Sequence, residues 1–125
     1  IEARERAYAP YSRFPVGAAL VTFSGKTFMG CNVENSATGL TVCAERVAVW
    51  KAVSEGEQQF AAIAIATQSG AMPCGACRQV LSEFAEDMTV LVADLCGCVW
   101  QTSLAVLLPA AFPRVGLKQI GARSE

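Results

Sequence analysis

Two short segments constrain this chain more than anything else in it: Cys43-Ala44-Glu45-Arg46 and, further on, Pro73-Cys74-Gly75-Ala76-Cys77-Arg78-Gln79. Together they offer three thiolates and one carboxylate, the donor set of a zinc site with an open fourth position and an acid–base group beside it. Any fold for the chain has to bring the two segments together.

Simple geometry allows it. A helix over 43–54 climbs about 18 Å and a strand over 60–67 returns about 26 Å, so Cys74 comes back to the level of Cys43. Cys74 and Cys77, at i and i+3 on a helix start, share a face. All three thiols then sit near helix N-termini, where partial positive charge lowers thiol pKa and favours metal ligation. In open α/β sheets such helix starts lie beyond the carboxyl ends of strands, the usual place for ligands.

The remaining elements follow from periodicity and punctuation. Residues 1–8 have helical composition, and Pro10 would stop a helix there. Val16 to Phe23 and Thr27 to Glu34 read as a hairpin around Ser24-Gly25. A helix runs from Val42 to Ser54, apolar on most sides and therefore central. Phe60 to Thr67 reads as a buried strand and Cys74 to Glu86 as a second helix. Thr89 to Ala93 and Val99 to Thr102 read as strands, and Ser103 caps a short helix over Leu104 to Leu108 that Pro109 ends. The tail from Arg114 onward gives no clear pattern. Helices between strands, opened by a hairpin, predict a three-layer α/β/α sandwich on a mixed, roughly five-stranded sheet, with 1–125 as one domain.

Composition narrows the function. The 125 residues carry a net charge of −1 with scattered basic side chains, which argues against a nucleic-acid groove or an anionic membrane partner and for a small-molecule ligand. No apolar run is long enough to span a membrane, and the start lacks a signal-peptide layout, so a cytoplasmic location is expected. Hydrophobic residues make up 53% of the chain, a surplus that subunit contacts or a doubly covered sheet would absorb. The six cysteines are expected to be reduced thiols, and Cys31, Cys96 and Cys98 small buried side chains, with Cys96-Gly97-Cys98 as a turn.

Three thiolates on Zn²⁺ leave a local charge of −1, which weakens activation of water. Arg46 is placed to reach the ligand sulfurs, and Gln79 to orient Arg46, with the two helix dipoles adding to the compensation. Glu45 can complete the tetrahedron or stand off and move protons, and the open site is the productive arrangement. Asn32 and Glu34, two apart on the return strand, point to one face, and a carboxylate in an apolar strand pair needs a partner, which suggests a ligand.

These motifs resemble the small homotetrameric cytidine deaminases that use three cysteines; the Cys-Ala-Glu and Pro-Cys-x-x-Cys signature is the one generally associated with zinc deaminases. Phe14-Pro15-Val16-Gly17-Ala18-Ala19, Gly30-Cys31-Asn32-Val33-Glu34-Asn35 and Leu107-Leu108-Pro109-Ala110-Ala111-Phe112 resemble the family in the same order, so the likeness covers roughly residues 8–112. It implies one Zn²⁺ per chain on Cys43, Cys74 and Cys77, and Glu45 as the acid–base group. Substrate contacts would come from Phe14, Asn32, Glu34 and Ala44, and Phe112 would reach a neighbouring subunit's pocket in a homotetramer. The implied reaction is hydrolytic deamination of cytidine or deoxycytidine to the uridine. Thr38 stands where the family commonly has Tyr and Ser36 where Ala is usual, which touches substrate preference. A deaminase for a modified cytosine nucleoside of the blasticidin type, and a non-catalytic zinc-stabilised binding protein, are the competing readings.

Overall fold

The computed structural model describes residues 1–113. Five strands form one mixed sheet: β1 (Gly17–Thr22), β2 (Thr27–Cys31), β3 (Phe60–Ala66), β4 (Thr89–Ala93) and β5 (Val99–Ser103), in the order β2-β1-β3-β4-β5. The hairpin β1–β2, the β1–β3 pair and the β4–β5 pair are antiparallel, whereas β3 and β4 run parallel. Among the described residues three α-helices accompany the sheet: α1 (Ala44–Ser54), α2 (Gly75–Ser82) and α3 (Leu104–Leu107). A parallel pair needs a crossover, and α2 supplies it between β3 and β4.

The period-2 alternation of the strands decides where the core lies. Ala18 and Leu20 of β1 stand in register with Ile65 and Ile63 of β3, and these with Val92 and Val90 of β4, and all six are buried. Ala44, Ala48, Val49 and Ala52 of α1, Leu81 of α2 and Leu104 of α3 pack against this face. Each fully buried Ile, Leu or Phe there contributes about 1.5–3 kcal/mol of transfer free energy. Gly30 marks how closely α1 approaches: a Cβ at that position would lie 2.5 Å from the Ala44 carbonyl oxygen and 2.6 Å from the Ala48 nitrogen.

Gly17, one residue out of phase with Ala18, faces the other way, and a Cβ there would meet the Arg4 backbone at 2.5 Å. The segment expected to be an entry helix is a five-residue 3-10 turn, Glu2–Arg6, lying on that second face with Ala3 buried. Among the described residues this turn is the third layer. It ends because Ala7 is extended and Tyr8 joins Val33 in an isolated bridge, drawing the chain along the β2 edge.

Boundaries differ in informative ways. β2 stops at Cys31, not Glu34, because beyond it Val33 turns to pair with Tyr8 and Val42. α2 ends at Ser82 where Glu86 was expected; the following residues turn so that Phe84 packs its ring on Phe60 at 5.2 Å. Ser103 does cap α3, accepting from the Val106 N–H at 3.3 Å. Cys96 and Cys98 are exposed, not buried: the turn they form stands out from the β4–β5 hairpin, with both N–H groups donating to Asp94 Oδ1 at 2.9 Å. Cys31 is half-buried. Among the described residues no helix is long and apolar enough to cross a membrane. The unpatterned tail from Arg114 lies outside the described residues.

Candidate metal centre and substrate cleft

Cys43 is the N-cap residue of α1 and Cys74 that of α2, both with extended backbone, and Cys77 sits in the first turn of α2. Neither cysteine caps its helix with a side-chain hydrogen bond, so both sulfurs stay available. Cys43 Sγ lies 3.9 Å from Cys74 Sγ, which lies 3.5 Å from Cys77 Sγ, and all three fall within 4.8 Å of one another. Sulfurs bound tetrahedrally at a Zn–S length near 2.3 Å stand about 3.8 Å apart, so the spacing suits zinc. A soft all-thiolate donor set suits it chemically as well.

Electrostatics set Cys43 apart from Cys77. Hydrogen bonding with Cys77 pulls Cys43 down to about 5, helped by the Arg46 guanidinium, whose Nη2 donates to Cys43 Sγ at 3.3 Å. Cys77, bonded to Cys43 and buried beside Glu45, is pushed well up. The trio thus holds one ready thiolate and at least one thiol that gives up its proton as metal binds. Among the described residues Arg46 Nε is buried with no hydrogen-bond partner, and the guanidinium reaches the sulfur through Nη2.

Glu45, the second residue of α1, is 5% exposed. Burial raises its pKa, partly opposed by its own backbone N–H. It opens onto a cleft of about 260 Å³ whose wall includes Cys43, Cys74, Phe14, Asn32 and Ala44. The wall is largely apolar, with Glu45, Cys43 and Cys74 as its ionisable lining residues.

The structure brings most of the sequence-identified residues to this cleft and relates the others to it indirectly. Asn32 is buried, and its amide holds the cleft's other wall: Oδ1 accepts from the Val16 N–H at 2.9 Å and Nδ2 donates to the Phe14 carbonyl at 3.0 Å. Glu34 reaches the same 11–16 segment, where Oε1 accepts from the Tyr11 and Ser12 N–H groups and Oε2 from the Ser12 hydroxyl. That hydroxyl, and then the backbone donors, hold the Glu34 carboxyl below the usual carboxylate range. The shared face expected of Asn32 and Glu34 is present although β2 has ended. Gln79 is placed differently from expectation: Nε2 donates to the Phe112 carbonyl at 3.3 Å and not to Arg46. Phe112 is 72% exposed and lies away from the cleft wall, beside α2.

Sequence reasoning missed Ser12, Thr67 and Met72, all in the cleft wall. It also missed Arg78, which ties Pro73 to Leu107 by donating from Nε at 2.8 Å and Nη1 at 2.9 Å. The readable signal for Thr67 was a hydroxyl directly after an apolar strand and shortly before Gly70.

A mixed α/β sheet that delivers two helix starts to one spot, each carrying thiolates and one a buried carboxylate, is the framework of a zinc-dependent hydrolase. The cytidine and deoxycytidylate deaminase zinc-binding region matches residues 1–93. A cytidine deaminase of Sporosarcina psychrophila is 50% identical over 119 residues, spanning 93% of this chain and 88% of that protein. The crystal structure of cytidine deaminase from Burkholderia pseudomallei superposes with a TM-score of 0.85 at 51% identity, covering 89% of this chain and 91% of the other. A blasticidin-S deaminase of Bacillus cereus is 31% identical over 109 residues, 79% of this chain and 77% of that protein. The chain belongs to the cytidine and deoxycytidylate deaminase family.

Proposed function

We propose that the protein hydrolyses cytidine or deoxycytidine to uridine or deoxyuridine and ammonia. The observation that carries this reading is the buried Glu45 carboxylate opening onto the same cleft as Cys43 and Cys74, with Cys77 completing the sulfur triangle. Cys43, Cys74 and Cys77 hold Zn²⁺, which when bound supplies the Lewis acidity that makes water nucleophilic at neutral pH.

The rest is the work of the chain. Glu45, its pKa raised by burial, is poised to take a proton and to return it. It accepts the proton of the attacking water as the C4–O bond forms and delivers it to N3. It then takes the proton of the new C4 hydroxyl and passes it to the exocyclic amine as the C4 carbonyl forms and the C4–N4 bond breaks, and ammonia leaves. Arg46 offsets the negative charge of the thiolates. Phe14 packs on the base. Ala44, the first helical residue of α1, has a backbone N–H without an intrahelical acceptor, suited to the base carbonyl. Asn32 spends one Nδ2 hydrogen on Phe14 and keeps the other for a ribose hydroxyl, with Glu34 as its companion acceptor.

The 1–125 chain acts as one domain in the cytoplasm and assembles as a homotetramer with shared pockets. Leu40, Trp50 and Phe112, 67%, 53% and 72% exposed, are apolar surface suited to subunit contacts, and Phe112 completes a neighbour's pocket. Ammonia release on a panel of cytidine, deoxycytidine and blasticidin S tests the activity. Turnover of blasticidin S alone would move the assignment to that antibiotic, the reading favoured by the Bacillus cereus relative, and a zinc-loaded protein inert on the whole panel would refute deamination of these nucleosides.

A further inference from the structure

One buried polar side chain in the cleft wall has no part in the chemistry above. Thr67 directly follows β3, is 1% exposed, and lines the cleft together with Glu45, Ala71, Met72 and Cys74. Its backbone is fixed by the sheet, since its N–H donates to the Ala93 carbonyl at 3.1 Å and prolongs the β3–β4 ladder. Its Oγ1 accepts two bonds from the loop ahead, from the Gly70 N–H at 2.7 Å and the Ala71 N–H at 3.0 Å.

That loop has little else to hold it. Gln68 and Ser69 are exposed, and Met72 is 45% exposed. On one side Trp100 of β5 lies against Gly70, where an added Cβ would sit 2.6 Å from the indole Cζ3, and the φ of +79° there already favours glycine. At the far end Arg78 grips the Pro73 carbonyl. The loop leads directly into Cys74, the N-cap of α2, whose sulfur has to meet that of Cys43 on α1, and about an ångström of misplacement can cost on the order of a hundredfold in rate.

We infer that Thr67 is the positioning residue of this loop: by accepting the Gly70 and Ala71 amides it sets where Met72 walls the cleft and where Cys74 presents its sulfur. A partly buried N–H without an acceptor is costly, so removing the hydroxyl frees the loop to seek water instead. A methyl group at the same place fills the same volume and holds nothing. The proposal rests on the deaminase reading for its consequence in catalysis, while its hydrogen bonds stand apart from that reading.

The test compares Thr67→Val, which keeps the shape and removes the acceptor, with Thr67→Ser, which keeps the acceptor, both in a Trp50→Phe background so that fluorescence reports Trp100. Thr67→Val is expected to lose about ten- to a hundredfold in kcat/KM on cytidine and to release zinc to a chromogenic chelator about tenfold faster. Acrylamide quenching of Trp100 should rise in the same variant. Thr67→Ser should stay within about threefold of the parent in every readout, because the two amides keep their acceptor. Parental zinc release and quenching in Thr67→Val would overturn the proposal, and so would a Thr67→Ser protein as impaired as Thr67→Val. If Thr67→Val does not fold, amide hydrogen exchange of the parent decides. Gly70 and Ala71 should exchange at least about tenfold more slowly than Gln68 and Ser69, and equal exchange would refute the role. A zinc-loaded parent inert on both cytidine and deoxycytidine would defeat the functional reading alone, since zinc release, quenching and exchange judge Thr67 without it.

Discussion

Gly30 offers the sharpest test of how fold and site are connected. It stands in β2 opposite Ala18, facing α1, and a Cβ there would lie 2.5 Å from the Ala44 carbonyl oxygen and 2.6 Å from the Ala48 nitrogen. Ordinary contact begins at 3.4 Å, so Gly30→Ala forces about 0.9 Å of separation between β2 and α1. Both obstacles are backbone atoms, and no side-chain rotation relieves them. Overpacking of this kind costs about 1–3 kcal/mol. For a chain of this size that corresponds to a melting temperature lower by roughly 3–12 °C. The shift falls on the turn of helix that begins with Cys43 and Glu45, so activity should fall by about a hundredfold even at temperatures where the variant is folded. Calorimetry and ammonia release on the zinc-loaded variant measure the two effects. Gly39→Ala is the control, because a Cβ at Gly39 meets nothing within 4 Å and its backbone needs no glycine. A Gly30→Ala protein with the parent's melting temperature and turnover would refute the claim that α1 is seated by backbone contact with β2.

Other consequences can be checked alongside it. Glu45→Gln should retain zinc, since the sulfurs are untouched, and lose about 10²–10⁴-fold in kcat with the loss of proton transfer; a zinc-replete variant with parental turnover would contradict the role. Extraction of zinc by a strong chelator should abolish ammonia release and lower the melting temperature, both restored by added Zn²⁺ within stoichiometric amounts; activity in metal-free protein would contradict the donor assignment. Glu34 has a folded-state pKa lowered chiefly by the Ser12 hydroxyl. A lowered carboxylate contributes stability that is complete above the unfolded value, roughly 4.3, and is lost as pH falls through the folded value. Ser12→Ala should therefore lower stability most at neutral pH, with variant and parent converging as pH falls through the folded value, and a loss of the same size at every pH would count against the contact.

Much of the site could be read because its information is local. Cys74 and Cys77 share a face by helical spacing alone, and the nearness of all three thiols to helix starts follows from where the two helical patterns begin, although the exact caps do not: α1 starts at Ala44, after Val42 pairs with Val33, and α2 at Gly75. Their meeting was also legible, as a helix out and a strand back leave the chain where it started. Asn32 and Glu34 kept their common direction past the end of β2, since extended backbone preserves the alternation when the ladder stops. Gln79 was misplaced for a non-local reason: its amide finds the Phe112 carbonyl, a partner far along the chain that no helical spacing indicates. Cys96 and Cys98 were expected inside by residue type, but their turn stands clear of the core, and a turn's position depends on the hairpin that carries it.

What the sequence by itself determined is the chemistry: which atoms can bind zinc, which carboxylate is left over, and the order of helices and strands that permits their assembly. Tertiary structure alone decided the surroundings that make those groups useful. Burial of Glu45, the approach of Arg46 Nη2 to Cys43, and the grip of Thr67 on the loop before Cys74 each depend on segments distant in sequence meeting in space. Local patterns specify donors and periodicity, whereas desolvation and hydrogen bonding across segments arise only when the sheet and helices close around them.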